Sequence, residues 1–292
     1  VSTPADPEIK QQVQAFYDHV GWKRVGDCCY QNARYEDLRP VSQEYVHRCH
    51  LRVTRHITPS GKYLLDAGSG PIQYPEYLEY SKGYQYRVCA DISHVALKEA
   101  RERINDHGLF VVSDVANLPF KEDIFGGVVS LHTFHHLPRD EQVEAYAEIF
   151  RVMIPSNSAV IVNGWRESPL MRFFSPLIRI AVFILRIYRR ATGRESYFEQ
   201  DQHGSNSSGM TDEQQATFVH REDPSWLKQE IGSEMPLEIF VWRSVSTDFL
   251  RTLIHRKLGG RLVLRLLYWL EECAPRVLGL YGQYPLIVIR KA

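Results

Sequence analysis

Between Lys62 and Trp165 the chain repeats one pattern: a short apolar run, a turn, then a helical segment. The apolar runs fall at 63–68 (YLLDAG), 86–91 (YRVCAD), 109–114 (LFVVSD), 126–131 (GGVVSL) and 159–165 (AVIVNGW). Residues 75–82, 94–104 and 139–153 read as the intervening helices, with Ser93 capping the second. Val143, Tyr146, Ala147, Phe150 and Met153 are expected on the inner face of the third. Strands this apolar, alternating with helices, predict a parallel sheet covered on both faces. Two later runs, 237–245 and 284–291, supply a sixth and a seventh strand.

The flanks divide the chain further. Residues 8–22 and 42–57 read as amphipathic helices, the latter capped by Ser42, around a turn-like stretch at 26–40. Residues 1–60 are therefore expected to form a helical cap, 61–165 the core, 166–235 an insert and 236–292 the completing strands and helices. Within the insert, 200–215 is polar and rich in Gly and Ser, a loop composition, and 224–232 reads as a helix. Residues 247–273 read as helical.

Lys plus Arg and Asp plus Glu both number 35, so no net field favours nucleic acid, and none is expected as a partner. The five cysteines form no CxxC pair, and the odd count points to a reducing, cytoplasmic compartment. The opening VSTPADPEIKQQ has no apolar stretch and does not read as a signal peptide.

Polar and glycine residues gather where the strands end. The first strand runs into Asp66-Ala67-Gly68-Ser69-Gly70, a turn in which glycine lets backbone approach a ligand. The second ends in Asp91-Ile92-Ser93, the third in Ser113-Asp114-Val115 and the fourth in Ser130-Leu131-His132. In a doubly wound sheet, ligands sit at the carboxyl ends of the strands near the point where strand order reverses. An acid at the second position can accept both ribose hydroxyls of a nucleoside. One at the third can take an adenine amino group. Singly, each acid also suits a helix cap or a turn.

The series LLDAGSG, ADIS, SDVANLPF and GGVVSLHTFHHL resembles the class I S-adenosylmethionine-dependent methyltransferases over 62–165. The resemblance implies a Rossmann-like, doubly wound sheet of seven strands, mostly parallel, the last antiparallel. It implies S-adenosyl-L-methionine as cofactor and methyl transfer as the activity. Asp66, Ala67, Gly68, Ser69 and Gly70 would then lie at the methionine end. Asp91, Ile92 and Ser93 would hold the ribose, and Asp114 and Val115 the adenine. Ser130, Leu131 and His132 would lie under the sulfonium. One departure stands out: the position two residues after Gly70, often a third glycine in the family, is Ile72. A dinucleotide GxGxxG is also incomplete, with Gln73 where its last glycine belongs.

His132, His135 and His136 sit beside the expected methyl group as candidates for a general base, or as groups that close the pocket. The resembled family often folds its N-terminal segment over the cofactor, which makes Tyr17, Tyr30, Arg34 and Tyr35 candidates for a lid. His47, Cys49, His50 and His56 form a second cluster, but no metal is expected.

Residues 170–190 are apolar but interrupted by Arg172, Arg179 and Arg186, one every seven residues, which suits a basic stripe on a helix more than a membrane span. Two readings stay open: the apolar face packs on the core or on a twin subunit in a homodimer, or it lies at a membrane interface. Residues 256–270 have a similar character. Both hint at a small-molecule or lipid-linked acceptor. Rival functions are a nicotinamide-dependent oxidoreductase, an aminopropyl-type transferase using the same cofactor, and a non-catalytic S-adenosylmethionine-binding protein.

Overall fold

The computed structural model describes residues 7–25, 29–192 and 217–292. Its sheet strands are β1 (Gly61–Ala67), β2 (Tyr84–Asp91), β3 (Gly108–Val112), β4 (Gly127–Leu131), β5 (Ser158–Val162), β6 (Leu237–Arg243) and β7 (Tyr284–Arg290). They form one seven-stranded sheet in the order β3-β2-β1-β4-β5-β7-β6. β1 pairs in parallel with β2 and β4, β2 with β3 and β4 with β5, whereas β7 is antiparallel to both β5 and β6. Every strand but β7 therefore points the same way, as expected. Strand order reverses between β1 and β4, and the crevice outside their carboxyl ends is where such a sheet takes ligands.

The helices are α1 (Pro7–Phe16), α2 (Gln43–Leu51), α3 (His94–Ile104), α4 (Arg139–Val152), α5 (Pro169–Thr192), α6 (Thr247–Leu253), α7 (Gly260–Cys273) and α8 (Pro275–Tyr281). Side chains alternate between the two faces of the sheet, as the pleat requires. Leu65, Val88, Val128 and Ile161 meet Ala145, Tyr146 and Ile149 of α4 in one core. Leu64, Cys89, Val129 and Val160 meet α2, α3 and α6 in the other.

Several local expectations shift. Residues 8–22 start as α1 but continue as a wider π-type turn over Tyr17–Gly21. The 75–82 segment is a run of 3-10 turns, Pro75–Ser81, entered through a proline. Residues 247–273 divide at Gly259, whose φ of 72° no continuing helix accepts. α8, unanticipated, starts at Pro275, a residue preorganised for a first turn. The inner face of α4 is rotated: Val143 and Ala147 are exposed, while Gln142 is buried beside Ala145 and Tyr146. The Gln142 amide donates to the Leu137 and His220 carbonyls at 3.0 Å each, which fixes that face inward.

Asp66 differs most from expectation. It is buried in β1 and accepts from Arg87 of β2, Nε to Oδ2 at 3.0 Å, rather than lining the crevice. Arg87 is itself wholly buried. Removing one partner of such a pair leaves a buried charge uncompensated, at a cost of about 3–5 kcal/mol. Arg87→Ala is therefore expected to lower unfolding stability by about that amount. A denaturant midpoint within error of the unaltered protein would contradict this assignment.

Candidate active site

The strand ends open into a cavity of about 690 Å³. Its floor is the turn after β1. Gly68 and Gly70 have φ of 72° and 53°, and a Cβ built on Gly68 would lie 2.2 Å from Thr133 Oγ1. Glycine is needed here both for the left-handed backbone and for the close approach of the loop after β4. Ile72, where the resembled family often has glycine, also sits at φ 55° and is wholly buried. A β-branched residue in that region is strained. Its apolar burial against Tyr77 and Leu97 in the same core offsets the strain.

Gly68, Ser69, Gly70, Asp91, Ile92, Asp114, Val115, Leu131 and His132 all line the cavity. The Asp91 carboxylate accepts the N–H of Gly70 and of Ser93, each at 2.8 Å, one on each oxygen. Burial pushes its pKa up to about 6, against the downward pull of those two N–H groups. Asp114 accepts the Ala116 N–H at 2.9 Å and pairs with Lys10. Asp66, Ala67, Ser93 and Ser130 are not in the lining: Ser93 caps α3 through the Ala96 N–H, and Ser130 donates to the Ala67 carbonyl. These four support the wall from behind.

The N-terminal segment closes one side. Lys10 reaches Asp114 and Glu141, Gln14 donates to the Ile92 carbonyl at 3.0 Å, and Asp18 accepts from Ser93. Tyr17 stacks on Trp22 at 5.0 Å and donates to His136 Nε2 at 2.7 Å. Of the lid candidates, Tyr17 and Tyr35 line the cavity. Tyr30 does not: its hydroxyl donates to Glu99 at 2.9 Å and its ring packs edge-on to Trp22. The Arg34 side chain lies outside the described residues.

The three histidines after β4 are separated by their partners. His136 Nδ1 lies 2.8 Å from the Phe218 carbonyl, which can only accept, so Nδ1 carries the proton and Nε2 accepts from Tyr17. His135 Nδ1 donates to Asn163 Oδ1 at 2.7 Å. His132, at φ 58°, packs edge-on to Trp242 at 5.0 Å and to Tyr284 at 5.8 Å. Burial holds His132 down to about 3 and His136 to about 4, and His135 well below the usual imidazole range. All three are neutral at pH 7.

The far wall was not anticipated. β6 runs parallel to β5, so its carboxyl end delivers Trp242 and Arg243 to the same crevice. Glu36 pairs with Arg243, and His50 lies with Nε2 3.6 Å from Glu36 Oε2. Burial would raise the Glu36 carboxyl, but the Arg243 guanidinium and His50 hold it down to about 2. Behind the wall, buried Glu271 accepts from Tyr45 at 2.7 Å, the Ser244 N–H at 2.8 Å and Arg52 at 2.9 Å. That network ties α2 and α7 to the end of β6. His47, Cys49 and His56 take no part in the cavity: His47 pairs with Glu76, Cys49 is buried in the core and His56 stacks on Phe240. Among the described residues no three metal-capable side chains converge.

Residues 65–161 match the methyltransferase domain family model. This segment is similar to methyltransferase domains. A tRNA (carboxymethyluridine(34)-5-O)-methyltransferase of Arabidopsis thaliana is 26% identical over 159 residues, covering 47% of this chain and 37% of that protein. The chain thus spans well under half the length of that relative. Phosphoethanolamine N-methyltransferase 1 of Haemonchus contortus, solved with phosphoethanolamine and S-adenosylhomocysteine, superposes with a TM-score of 0.53 at 10% identity, over 97% of this chain and 50% of that one. The putative methyltransferase in a Haloferax volcanii complex with the Trm112 activator gives a TM-score of 0.49 at 14% identity, over 86% and 92%. At 10% identity the superposition on the Haemonchus contortus enzyme carries the fold alone.

The contact of Tyr17 with His136 latches α1 across the strand ends. Tyr17→Phe leaves a buried imidazole nitrogen without its donor, a loss of about 1–3 kcal/mol. Amide exchange in α1 is expected to accelerate on the order of tenfold or more. Unchanged protection of α1 would show that this contact does not hold it.

Proposed function

We propose that this chain is a methyltransferase that binds S-adenosylmethionine at the ends of β1 to β4 and methylates an acceptor held beside His132 and against the β6 wall. The observation that carries the reading is the Asp91 carboxylate. It is buried at the carboxyl end of β2, oriented by two backbone N–H groups, and shares one cavity with Asp114, Val115 and His132. Each of its oxygens keeps a lone pair for a ribose hydroxyl. The cavity also falls within the ~300–1,000 Å³ usual for ligand sites. Asp114 and Val115 would take the adenine, with Lys10 sharing the Asp114 carboxylate. Ser69 and the Gly68–Gly70 backbone are placed for the methionine end.

The bound cofactor supplies the electrophilic methyl group and a neutral thioether leaving group. The protein's part is to orient the acceptor and exclude water. Histidines held near 3 to 4 or lower are weak bases. Their part is therefore to shape the pocket, with His135 Nε2 left as a hydrogen-bond acceptor and His136 holding the lid. An acceptor that reaches the site already able to attack suits this arrangement. Reading the site as a nicotinamide pocket has less support, because Gln73 interrupts the glycine pattern such sites use.

If Asp91 must be ionised to accept both hydroxyls, affinity for S-adenosylhomocysteine falls as pH drops through its value of about 6. The weakening is expected to be about tenfold between pH 7 and pH 5. Asp91→Asn should bind weakly and without this pH dependence. A wild-type affinity flat across that range would count against the assignment.

The reading extends to a membrane surface. No described helix is long and apolar enough to cross a membrane. Yet α5 leaves Phe173 and Phe183 exposed by 78% and 63%, and α7 leaves Leu262 and Trp269 exposed by 69% and 58%. The core of this chain covers only the opposite side of α5, through Met171, Phe174 and Ile178. Arg172 and Arg179 on α5, and Arg256, Lys257, Arg261 and Arg265 at α7, are exposed among them. Each basic residue near an anionic surface contributes about 1 kcal/mol. α5 packs on α6 through Phe174 and Phe249, 5.2 Å apart, and Thr247 at the start of α6 lines the cavity. A peripheral contact there would place the cavity mouth near a lipid-linked acceptor.

Phosphatidylglycerol vesicles are expected to sediment the protein, phosphatidylcholine vesicles to leave it in solution, and Phe173→Asp with Phe183→Asp to release it. A protein that ignores both vesicles and instead dimerises through this face would replace the membrane reading with a homodimer.

A further inference from the structure

Resting on the methyltransferase reading, we propose that the acceptor carries an anionic oxygen group, a carboxylate or phosphate, seated against the N–H donors of Trp242 and Arg243. The β6 wall has a surplus of donors. Trp242 and His50 are each 1% exposed and Arg243 2%, and all three line the cavity. Trp242 Nε1 and Arg243 Nε have no hydrogen-bond partner, whereas the ring nitrogens of His50 face the carboxylates of Glu36 and Glu76 at 3.6 and 3.9 Å. The other arms of Arg243 are already engaged, one with Glu36 and one with Thr247 Oγ1 at 3.2 Å. The indole and the guanidinium Nε can only donate. A ligand without acceptor atoms would leave them buried and unpaired, which costs free energy at each one.

Charge selects among acceptor-bearing ligands. Arg221, also lining the cavity, has a buried Nε without a partner. Arg243 lies over the Tyr284 ring at 4.6 Å and 5.2 Å from Trp242, so it already occupies the faces of the aromatic walls that an ammonium group would seek. Glu36 is neutralised by that same arginine. An amine-bearing acceptor would meet guanidinium groups, whereas an oxyanion meets donors. The distance from His132 to Trp242, 5.0 Å between ring centroids, places this donor set beside the point where the methyl group would be presented. The aromatic rings of Trp242, Tyr284, His50 and Tyr74 make the rest of the chamber apolar and flat.

The test uses benzoate, phenyl phosphate and neutral benzamide as probes, titrated calorimetrically with and without saturating S-adenosylhomocysteine. At least one anion is expected to bind about tenfold more tightly than benzamide. Trp242→Phe, which removes the donor and keeps a ring, is expected to weaken binding of the preferred anion several-fold while the melting temperature stays within a few degrees. Dodecyl phosphate below its micelle concentration tells the source apart. Tighter binding than phenyl phosphate assigns a lipid headgroup, and equal binding a free small acid. Benzamide binding as well as both anions, or anion affinity untouched by Trp242→Phe, would overturn the proposal. Failure to bind S-adenosylhomocysteine would instead sink the methyltransferase reading, and the titrations without it still report on the anion site.

Discussion

Parallel pairing of β1 with β2 and β4 is the constraint on which the rest depends. It forces the carboxyl ends of β1 to β5 to the same side, and the reversal of order at β1 and β4 leaves a crevice there that no strand can fill. Each later feature answers to that geometry. The glycines of the β1 turn let backbone and the loop after β4 approach within van der Waals distance. Asp91 ends β2 at the crevice because its strand is as long as its neighbours require. Asp66, one strand over and slightly earlier, is left inside the sheet. There it becomes half of a buried pair with Arg87 instead of a ligand-facing acid.

The antiparallel β7 has a less obvious consequence. By inserting between β5 and β6 it restores β6 to the common direction, so that Trp242 and Arg243 arrive at the crevice as well. The cavity is thus built from two sources. Acids and glycines of the early strands form one half, and aromatic rings with guanidinium groups from β6 and its neighbours form the other. The buried network around Glu271 holds this second half rigid by tying β6 to α2 and α7. α1 bridges both halves, with Lys10 on Asp114 at one end and Tyr17 on His136 at the other.

Much of the first half was legible in the sequence and little of the second. Alternating apolar runs and helices report parallel strands directly, because both faces of such strands are buried, and all seven runs proved to be strands. Acids at strand ends can be read the same way, although Asp66 shows the limit. Whether an acid faces the crevice or a neighbouring strand depends on a partner, Arg87, that lies far away in sequence. The lid was legible as a cluster of Tyr residues but not residue by residue, since Tyr17 and Tyr30 are separated by partners distant in sequence, His136 for the one and Glu99 for the other. Glu36 meets Arg243 across 207 positions and His50 packs on Trp242, so no local pattern announces them. One signal was present: the run LEIFVWRSV carries Trp242 and Arg243 at the carboxyl end of its strand. Its direction, and so its meaning, depended on the placement of β7.

The central claim is that the crevice at β1 to β4 is built for S-adenosylmethionine. It is tested most directly by calorimetric titration of the protein with S-adenosylmethionine and S-adenosylhomocysteine beside NADH. The account predicts micromolar binding of both S-adenosyl ligands, with one site per chain and no heat from NADH. Absence of S-adenosyl binding, or a preference for NADH, would contradict it.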